Sequence, residues 1–444
     1  MKGLNRFCSI EALVLIIALS LYTALSASLL AGPDSSSADK IIAITGVKIV
    51  PVTGPDLDSG TILIKGKRIE AIGQNIPLPE GTLVINGQGL TAYPGLIDGY
   101  SSLGLVEISG VAATVDNRET GRINPQVKAI EALRYDSMHI PIARANGIVA
   151  AVVAPSGGLI SGQATLVKLE GWTNREMAIK DSLALVVELP GIRGGRRGFT
   201  GLSQQAVVST DKALAELKEL FHRARMYEKR KEYAAKNLLV PPPDFDETSL
   251  FLLPVVKGEL PIIFSVHSDK DILQTIKFVQ EEKIKAIFYG VEQGFKVAEE
   301  IKKAGIPCII GSLYDLPPVW EDGYDSLFVN PVILNKAGVK IAFSSSSSSA
   351  AKDLPYHAAK AAAFGLDRRE ALKAVTIYPA EIFGVDRDMG SLEKGKLANI
   401  VLARGDILEL GTTIEKVLIE GREVDLSNRY TELLEKFKKR ETDR

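Results

Sequence analysis

Histidine and cysteine, the side chains that most often bind zinc, are scarce in this chain of 444 residues. The histidines are His139, His222, His267 and His357, and the cysteines are Cys8 and Cys308. Catalytic zinc is held by imidazole, carboxylate and thiolate groups, and each ion needs three protein ligands. Four histidines would barely fill the first shell of a two-zinc site. The composition therefore weighs against a complete site of that kind.

Other segments have residue types that suit different chemistry. Ser349 and Lys352 have Ser-x-x-Lys spacing, but they end a run of serines and no companion motif follows, so we interpret the match as chance. Serines 344–349 could instead form a polar rim for an anionic ligand. Residues 191–198, GIRGGRRG, could clamp a carboxylate through three arginines, although a surface loop is the commoner role of such sequence. Cys308 lies in an apolar run and is predicted to be buried packing.

Three segments carry a recognisable pattern. Residues 90–105, LTAYPGLIDGYSSLGL, contain a Pro-Gly turn and a short apolar strand that opens into a small-residue loop. Residues 376–380 read TIYPA, and residues 390–402 read GSLEKGKLANIVL. These segments resemble the first barrel strand, the last barrel helix and the closing signature of the amidohydrolase superfamily, in its imidazolonepropionase-like branch. The resemblance covers roughly residues 41–424 and implies an α/β fold, a TIM-like (β/α)8 barrel with a small composite β-sandwich.

The resemblance also identifies the positions at which catalytic relatives bind zinc. The first strand of those relatives reads Pro-Gly-Leu-Ile-Asp-x-His-x-His, and here Tyr100 and Ser102 occupy the two histidine positions. The segment IIFSVHSDKDIL resembles VHAHRADDIL, which places Ser265 and His267 at the next two histidine positions. Of these four positions, only His267 keeps a residue that binds zinc well.

Two further ligand positions are changed. AIFYGVEQ stands where relatives read EHGTE, so Tyr289 replaces a histidine, and GVKIAFSSSSSS resembles GVKVAIQTDHP, so Ser346 replaces the aspartate that binds metal and takes a proton from water. A phenol with a pKa near ~10 and a serine hydroxyl are weak zinc ligands at neutral pH. We therefore predict no bound cofactor, although the catalytic relatives use zinc, and we assign no catalytic residue. Tyr100 and Tyr289, placed at adjacent strand ends, are predicted to fill the vacated pocket with their hydroxyls near His267 and Ser346.

The barrel is predicted over residues 93–385, where apolar runs alternate with helical stretches. The predicted strands read GLIDGY, IVAAVVA, LALVVEL, IIFSV, AIFYG, PCIIG and KIAFSS. Helices are predicted over residues 269–282 and 294–304, and residues 157–163, GGLISGQ, are interpreted as a loop at the barrel mouth. A long charged helix is predicted over residues 210–237. It belongs to a helical insertion, residues 210–250, whose charged face we expect to be solvated.

The chain ends are expected to meet. Residues 41–92 and 386–424 are predicted to form the composite β-sandwich, with a hairpin turn at Lys65-Gly66-Lys67. The remaining residues, 425–444, are predicted to form a charged, exposed C-terminal helix.

The first residues are typical of an export signal. Residues 1–32 combine two early positive charges, an uncharged apolar stretch and a cluster of small residues, and residues 33–40 are interpreted as a linker. This pattern predicts a periplasmic or extracellular protein. The alternative is an uncleaved membrane anchor over residues 12–32, because about 20 apolar residues can span a bilayer.

Function and partners follow from these observations as two hypotheses. A net charge of −1 gives no reason to expect a nucleic-acid partner. The first hypothesis is a non-catalytic family member that binds a small polar ligand, or a partner such as a second copy or a catalytic relative, through the former active-site mouth. The second is hydrolysis of amide-type carbon–nitrogen bonds by an atypical or partner-completed metal site. A membrane enters only if the N-terminal segment is not cleaved.

Overall fold

The computed structural model describes residues 40–190 and 209–442. The predicted leader, nearly all of the predicted linker and the loop 191–198 lie outside the described residues. The strands are β1 Ile41–Ile49, β2 Leu57–Lys65, β3 Arg68–Gly73, β4 Leu83–Asn86, β5 Thr91–Pro94, β6 Leu96–Ser101, β7 Ile148–Val153, β8 Ile160–Lys168, β9 Ala178–Glu188, β10 Ile262–Val266, β11 Ala286–Gly290, β12 Cys308–Ile310, β13 Ile341–Phe343, β14 Ile400–Arg404, β15 Thr413–Ile419 and β16 Arg422–Glu423.

Helices surround and follow these strands. The α-helices are α1 Ala129–Ala132, α2 His139–Ala145, α3 Asn174–Met177, α4 Thr210–Lys236, α5 Glu247–Val256, α6 Asp269–Glu282, α7 Ala298–Ala304, α8 Ser326–Lys336, α9 Leu354–Ala363, α10 Arg368–Lys373, α11 Ile377–Ile382 and α12 Arg429–Thr442. The helix predicted over residues 269–282 is α6, with matching bounds. The helix predicted over residues 294–304 is divided into a 3₁₀ turn, Gly294–Lys296, and α7.

One eight-stranded sheet is built from both ends of the chain. Its order is β16-β15-β14-β5-β1-β2-β3, and β4 pairs with β1. The antiparallel pair of β5 with β14 joins the two chain ends, as the sequence predicted. Strand β1 pairs with β4 over residues 42–45 and with β5 over residues 48–49, and the register shifts between these stretches mark bulges that bend it. Hydrogen bonds thus connect the predicted sandwich into a single curved sheet around its own apolar cluster.

The second eight-stranded sheet is the barrel, with the order β13-β12-β11-β10-β9-β8-β7-β6. All seven predicted strands are present and are mutually parallel. The barrel is thus TIM-like, as predicted, with one departure: its eighth strand, β8, runs antiparallel to both β7 and β9. It also corrects the interpretation of residues 157–163, since β8 begins at Ile160 within that segment.

The barrel closes between its first and last strands through main-chain and side-chain contacts. The Ser346 N–H donates to the Tyr100 carbonyl at 3.0 Å, just beyond the end of β13. Every residue of β6 is buried, as expected for a strand covered on both faces. The carboxyl ends of β6, β10, β11 and β13 therefore meet at one mouth.

The helical insertion packs against the outside of the barrel. Helix α4 buries Leu214, Leu217 and Phe221, which share one helical face, and exposes charged residues between them. Ser209 caps its start by accepting from the Lys212 N–H. Residues 429–440 of helix α12 are exposed and carry the predicted charged C-terminal face. No helix in the described ranges 40–190 and 209–442 is both long and apolar enough to cross a membrane.

Candidate functional site

All six predicted pocket residues lie at the same end of the barrel. Tyr100 is in β6 and Ser102 directly follows it. The others stand at or just after the carboxyl ends of three more parallel strands: Ser265 and His267 at β10, Tyr289 at β11 and Ser346 after β13. In barrels of this kind, ligand-binding side chains occupy that end. The predicted constellation is therefore brought to one mouth.

The aromatic rings of Tyr100 and Tyr289 are in contact at the mouth. Their rings stack with centroids 3.8 Å apart and planes 16° apart. Strands β6 and β11 are not neighbours in the sheet, which corrects the expectation that these tyrosines stand on adjacent strands. The rings instead meet across the barrel, so aromatic surface occupies space between the strand ends.

A second contact joins Ser265, His267 and Glu292 in a hydrogen-bonded chain. Ser265 Oγ lies 3.1 Å from His267 Nε2, and His267 Nδ1 lies 2.8 Å from Glu292 Oε2. Ser265 is 2% exposed and His267 is 7% exposed, whereas the Glu292 side chain keeps 25% of its surface in contact with solvent. The imidazole is thus held at both nitrogens, below the surface of the mouth.

The strained turn after β11 positions Glu292. Gly290 has φ +94°, and a Cβ built there would stand 2.9 Å from His267 Nδ1 and 3.0 Å from the Val266 carbonyl oxygen. Val291 also has a positive φ, +48°, which is rare for a β-branched residue. Its N–H donates to the Val266 carbonyl at 2.8 Å. Glycine at position 290 therefore provides the space in which the glutamate reaches the imidazole.

The serines after β13 form hydrogen bonds within the barrel mouth. Ser346, with φ +59°, places its Oγ 3.0 Å from Ser344 Oγ, and Ser344 Oγ donates to the Ile310 carbonyl at 2.8 Å. Ser102 Oγ accepts from the Ser348 N–H at 3.1 Å. Hydroxyls of this loop therefore have structural partners, which reduces their capacity to serve as a polar rim for an anion.

Asp98 is a fully buried carboxylate directly below the mouth. Its Oδ1 accepts from the Ser345 N–H at 2.9 Å and from the Tyr100 N–H at 3.3 Å, and its Oδ2 accepts from Ser345 Oγ. Burial raises the pKa of Asp98 from 3.8 to about 7, although the hydrogen bonds from Ser345 and Tyr100 lower it. The carboxyl group thus ties β6 to the chain after β13.

A groove of about 1460 Å³ lies elsewhere, between one face of α4 and residues 240–246. Charged side chains such as Arg223 and Glu216 line it, and none of the six predicted pocket residues takes part. Its size alone does not make it a catalytic site, because the polar groups of the barrel mouth are absent from its lining.

Comparison with known proteins agrees with this architecture. The model of the amidohydrolase family matches residues 329–424. An amidohydrolase from Thermotoga maritima superposes with a TM-score of 0.77 at 24% identity, covering 86% of this chain and 99% of that one. The structure of phenylurea hydrolase B gives a TM-score of 0.55 at 17% identity (87% and 97% covered), and molinate hydrolase gives 0.52 at 16% identity (88% and 95% covered). No curated protein sequence matches the chain.

Residues 329–424 match the amidohydrolase family, and the fold resembles that of an amidohydrolase of known structure. The family match spans α8 to β16 and includes both C-terminal segments from which the resemblance was read, TIYPA and GSLEKGKLANIVL. The structural similarities show the fold, which includes the barrel and the sheet built from both chain ends.

Because catalytic amidohydrolases bind zinc at the positions that the resemblance identifies, the fit of this chain to zinc can be tested on its residues. His267 Nδ1 contacts the Glu292 carboxylate, and its other nitrogen faces Ser265. In the parts of the chain that the structure describes, no group of three or more histidine, cysteine, aspartate or glutamate side chains could hold a metal ion. Catalytic zinc requires three protein ligands. The described residues therefore do not fit a catalytic zinc.

The remaining histidines and the described cysteine have other contacts. His139 Nε2 lies 2.9 Å from the Glu107 carbonyl, and His222 is exposed on α4. His357 is buried and accepts from the Leu313 N–H at 3.2 Å, and its pKa is lowered to about 4 by burial. Cys308 is buried in β12 as predicted, and burial raises the pKa of its thiol, which makes it a poor nucleophile.

Three acidic residues of the site were missed by reasoning from the sequence. Glu188 ends β9 in register with Ser265, a position that its place after an apolar run could have revealed. Asp98 belongs to the Pro-Gly-Leu-Ile-Asp segment, but its partner Ser345 is distant in sequence. Glu292 follows Gly290 and Val291, and no local pattern marks its contact with His267.

Proposed function

We propose that this amidohydrolase-superfamily chain binds a small polar ligand at the barrel mouth and does so without the zinc that its catalytic relatives use. The observation that carries the proposal is the stack of Tyr100 on Tyr289 at positions where the family resemblance places zinc ligands. The mouth supplies an aromatic wall, hydroxyl groups and carboxylates, a mixture that recognises a small polar molecule.

The ligand class is supported by the chemistry of the mouth. Ser265 and His267 can form hydrogen bonds with an amide ligand. Tyr289, in register with Ser265, can pack against the apolar part of that ligand. The similar structures include hydrolases of a phenylurea and of molinate. We therefore select N-acetylglycinamide, a small neutral amide, as the first probe.

The test is titration calorimetry of the full chain with N-acetylglycinamide, before and after treatment with EDTA. We expect a saturable heat that EDTA leaves unchanged and that Tyr289→Ala weakens at least about tenfold, equivalent to about 1.4 kcal/mol. Tyr430→Ala is the control, because Tyr430 is exposed on α12. Binding that disappears with EDTA, or that both variants reduce equally, would refute the proposal.

Export is part of the same proposal and rests on residues 1–32 alone. Positive charges, an apolar stretch and small residues follow one another there as in a cleaved signal. Cell fractionation with N-terminal sequencing tests it, and a periplasmic product that begins between Ala27 and Pro33 is expected. An intact Met1 in the membrane fraction would support the anchor instead. A metal site completed by a partner has no observation in its favour, and we do not propose it.

A further inference from the structure

A hydroxyl, an imidazole and a carboxylate follow one another in the hydrogen-bonded chain of Ser265, His267 and Glu292. The same order activates the serine in enzymes with a serine nucleophile. In such sites a hydroxyl is hydrogen-bonded to one imidazole nitrogen, and a carboxylate holds the other. Here the two separations are 3.1 Å and 2.8 Å, both within hydrogen-bond reach. Neither the family resemblance nor the binding role assigns this function to the three residues.

When the imidazole is neutral, hydrogen-bond chemistry gives the direction of the chain. An ionised carboxylate can only accept, so the imidazole proton lies on Nδ1 and points to Glu292 Oε2. His267 Nε2 is then an acceptor in the neutral ring, and Ser265 Oγ–H donates to it. This is the tautomer in which an imidazole can take the serine proton as a general base.

The backbone around the three residues supports a positioned site. The positive φ angles of Gly290 and Val291 lie two residues or fewer before Glu292, and strained backbone of this kind is concentrated at functional sites. Ser265 and His267 both belong to one end of β10, so a rigid barrel strand holds the hydroxyl and the base together. Glu292 Oε1 also lies against Gly311, which follows β12.

We propose that Ser265, His267 and Glu292 form a metal-independent acyl-transfer site that hydrolyses small carboxylic esters or amides. This activity goes beyond ligand binding. Ser265 is 2% exposed, so the acyl group must be short and slender to reach it beside Tyr289. Ser265 is the nucleophile, His267 is the general base and then the general acid, and Glu292 is a positioning residue.

The reaction balances with water as the only co-reactant. Ser265 Oγ forms a bond to the acyl carbon while its proton moves to His267 Nε2. The bond from the acyl carbon to the leaving oxygen or nitrogen breaks, and the leaving group takes that proton from His267. Water then adds to the acyl carbon while His267 Nε2 takes its proton. The bond from the acyl carbon to Ser265 Oγ breaks, Ser265 Oγ takes that proton back from His267, and a carboxylic acid is released.

The test uses the full chain kept in EDTA, with p-nitrophenyl acetate as substrate and a fluorophosphonate as the covalent probe. We expect saturable hydrolysis above the buffer rate and a single adduct that peptide mapping locates on Ser265. Ser265→Ala and His267→Ala should each lower kcat at least about 100-fold. Ser161→Ala and His222→Ala are the controls, because Ser161 is a buried serine in β8 without a hydrogen-bond partner among the described residues, and His222 is exposed on α4.

Glu292 needs a readout that a purely structural role would not change. Glu292→Gln should lower kcat about tenfold or more with KM nearly unchanged. Glu292→Asp keeps the carboxylate and should lower kcat less than Glu292→Gln does. The covalent adduct decides the matter even if a variant fails to fold, because it is measured on the unaltered chain. An adduct on another residue, the lack of any adduct and hydrolysis, or hydrolysis that Ser265→Ala leaves intact would each overturn the proposal.

Discussion

Tyr100 and Tyr289 stack face to face across the barrel, although their strands are separated by other strands in the sheet. A contact between side chains from distant strands should stabilise the closed barrel. We predict a coupling of about 1 kcal/mol in a double-mutant cycle of Tyr100→Leu and Tyr289→Leu, measured by urea unfolding. Additive effects within about 0.3 kcal/mol would show that the stack contributes nothing beyond burial.

Asp98 should make the stability of the chain depend on pH. Its native pKa is about 7 and the unfolded value is 3.8, so between these values the native state holds a proton that the unfolded state has released. The contribution of Asp98 to the free energy of unfolding is therefore greatest at acidic pH and falls as pH rises from about 4 to about 7.

Asp98→Asn removes this dependence while it keeps the hydrogen bonds. An asparagine Oδ1 can accept from the N–H groups of Ser345 and Tyr100, and its amide can donate to Ser345 Oγ as a protonated carboxyl does. In urea unfolding, the stability of Asp98→Asn relative to the unaltered protein should be greater at pH 8 than at pH 5. Parallel pH curves for the two proteins would contradict the raised pKa.

Gly290→Ala should disturb the contact of His267 with Glu292. A Cβ at position 290 would lie 2.9 Å from His267 Nδ1, and the alanine would have to adopt a positive φ. Gly305→Ala is the matched control, because Gly305 has φ +67° with nothing within 4 Å of the added Cβ. The control should cost about 1–2 kcal/mol for the left-handed backbone, and Gly290→Ala should cost more in the same unfolding assay. Equal losses would mean that no steric conflict with His267 arises.

The parts of the fold that could be predicted from the sequence are those with continuous apolar runs. Such runs mark strands that are buried on both faces, as in β7 and β10. Strand β8, ISGQATLVK, escaped because Gly, Ser, Gln and Thr interrupt its pattern, and its burial comes from pairing with β7 and β9. An antiparallel strand inside a parallel barrel also breaks the alternation of strand and helix on which the prediction rested.

The sequence predicted which residues lie at the barrel mouth, but it did not predict their hydrogen-bond partners. The family pattern located Ser265 and His267 because both lie in one short segment of recognisable sequence. Their partner Glu292 is 25 residues from His267 in the sequence. The positive φ angles of the two preceding residues bring it to the imidazole, and no sequence pattern predicted those angles. Asp98 and Ser345 are 247 residues apart, and only closure of the barrel brings them together. Contacts of this kind depend on tertiary geometry, which local patterns do not contain.

Restoring the zinc ligands of the family tests whether the six positions were identified correctly. We predict that the combined variant Tyr100→His, Ser102→His, Tyr289→His and Ser346→Asp binds zinc, whereas each single change leaves the protein without it. A catalytic site needs at least three ligands at once, so single changes supply too few. Zinc titration with competition from a chelating dye provides the measurement. A folded combined variant that binds no zinc would show that the positions are wrongly assigned.

The metal content of the full chain, purified without chelator, tests the central claim most directly. Glu292 is an acidic partner of His267, and the other former ligand positions carry tyrosine and serine. Elemental analysis after gel filtration should find less than one equivalent of zinc per chain, and EDTA should leave the melting temperature unchanged because no metal binding is coupled to folding. A stoichiometric amount of zinc that survives gel filtration, with a melting temperature lowered by EDTA, would contradict the account.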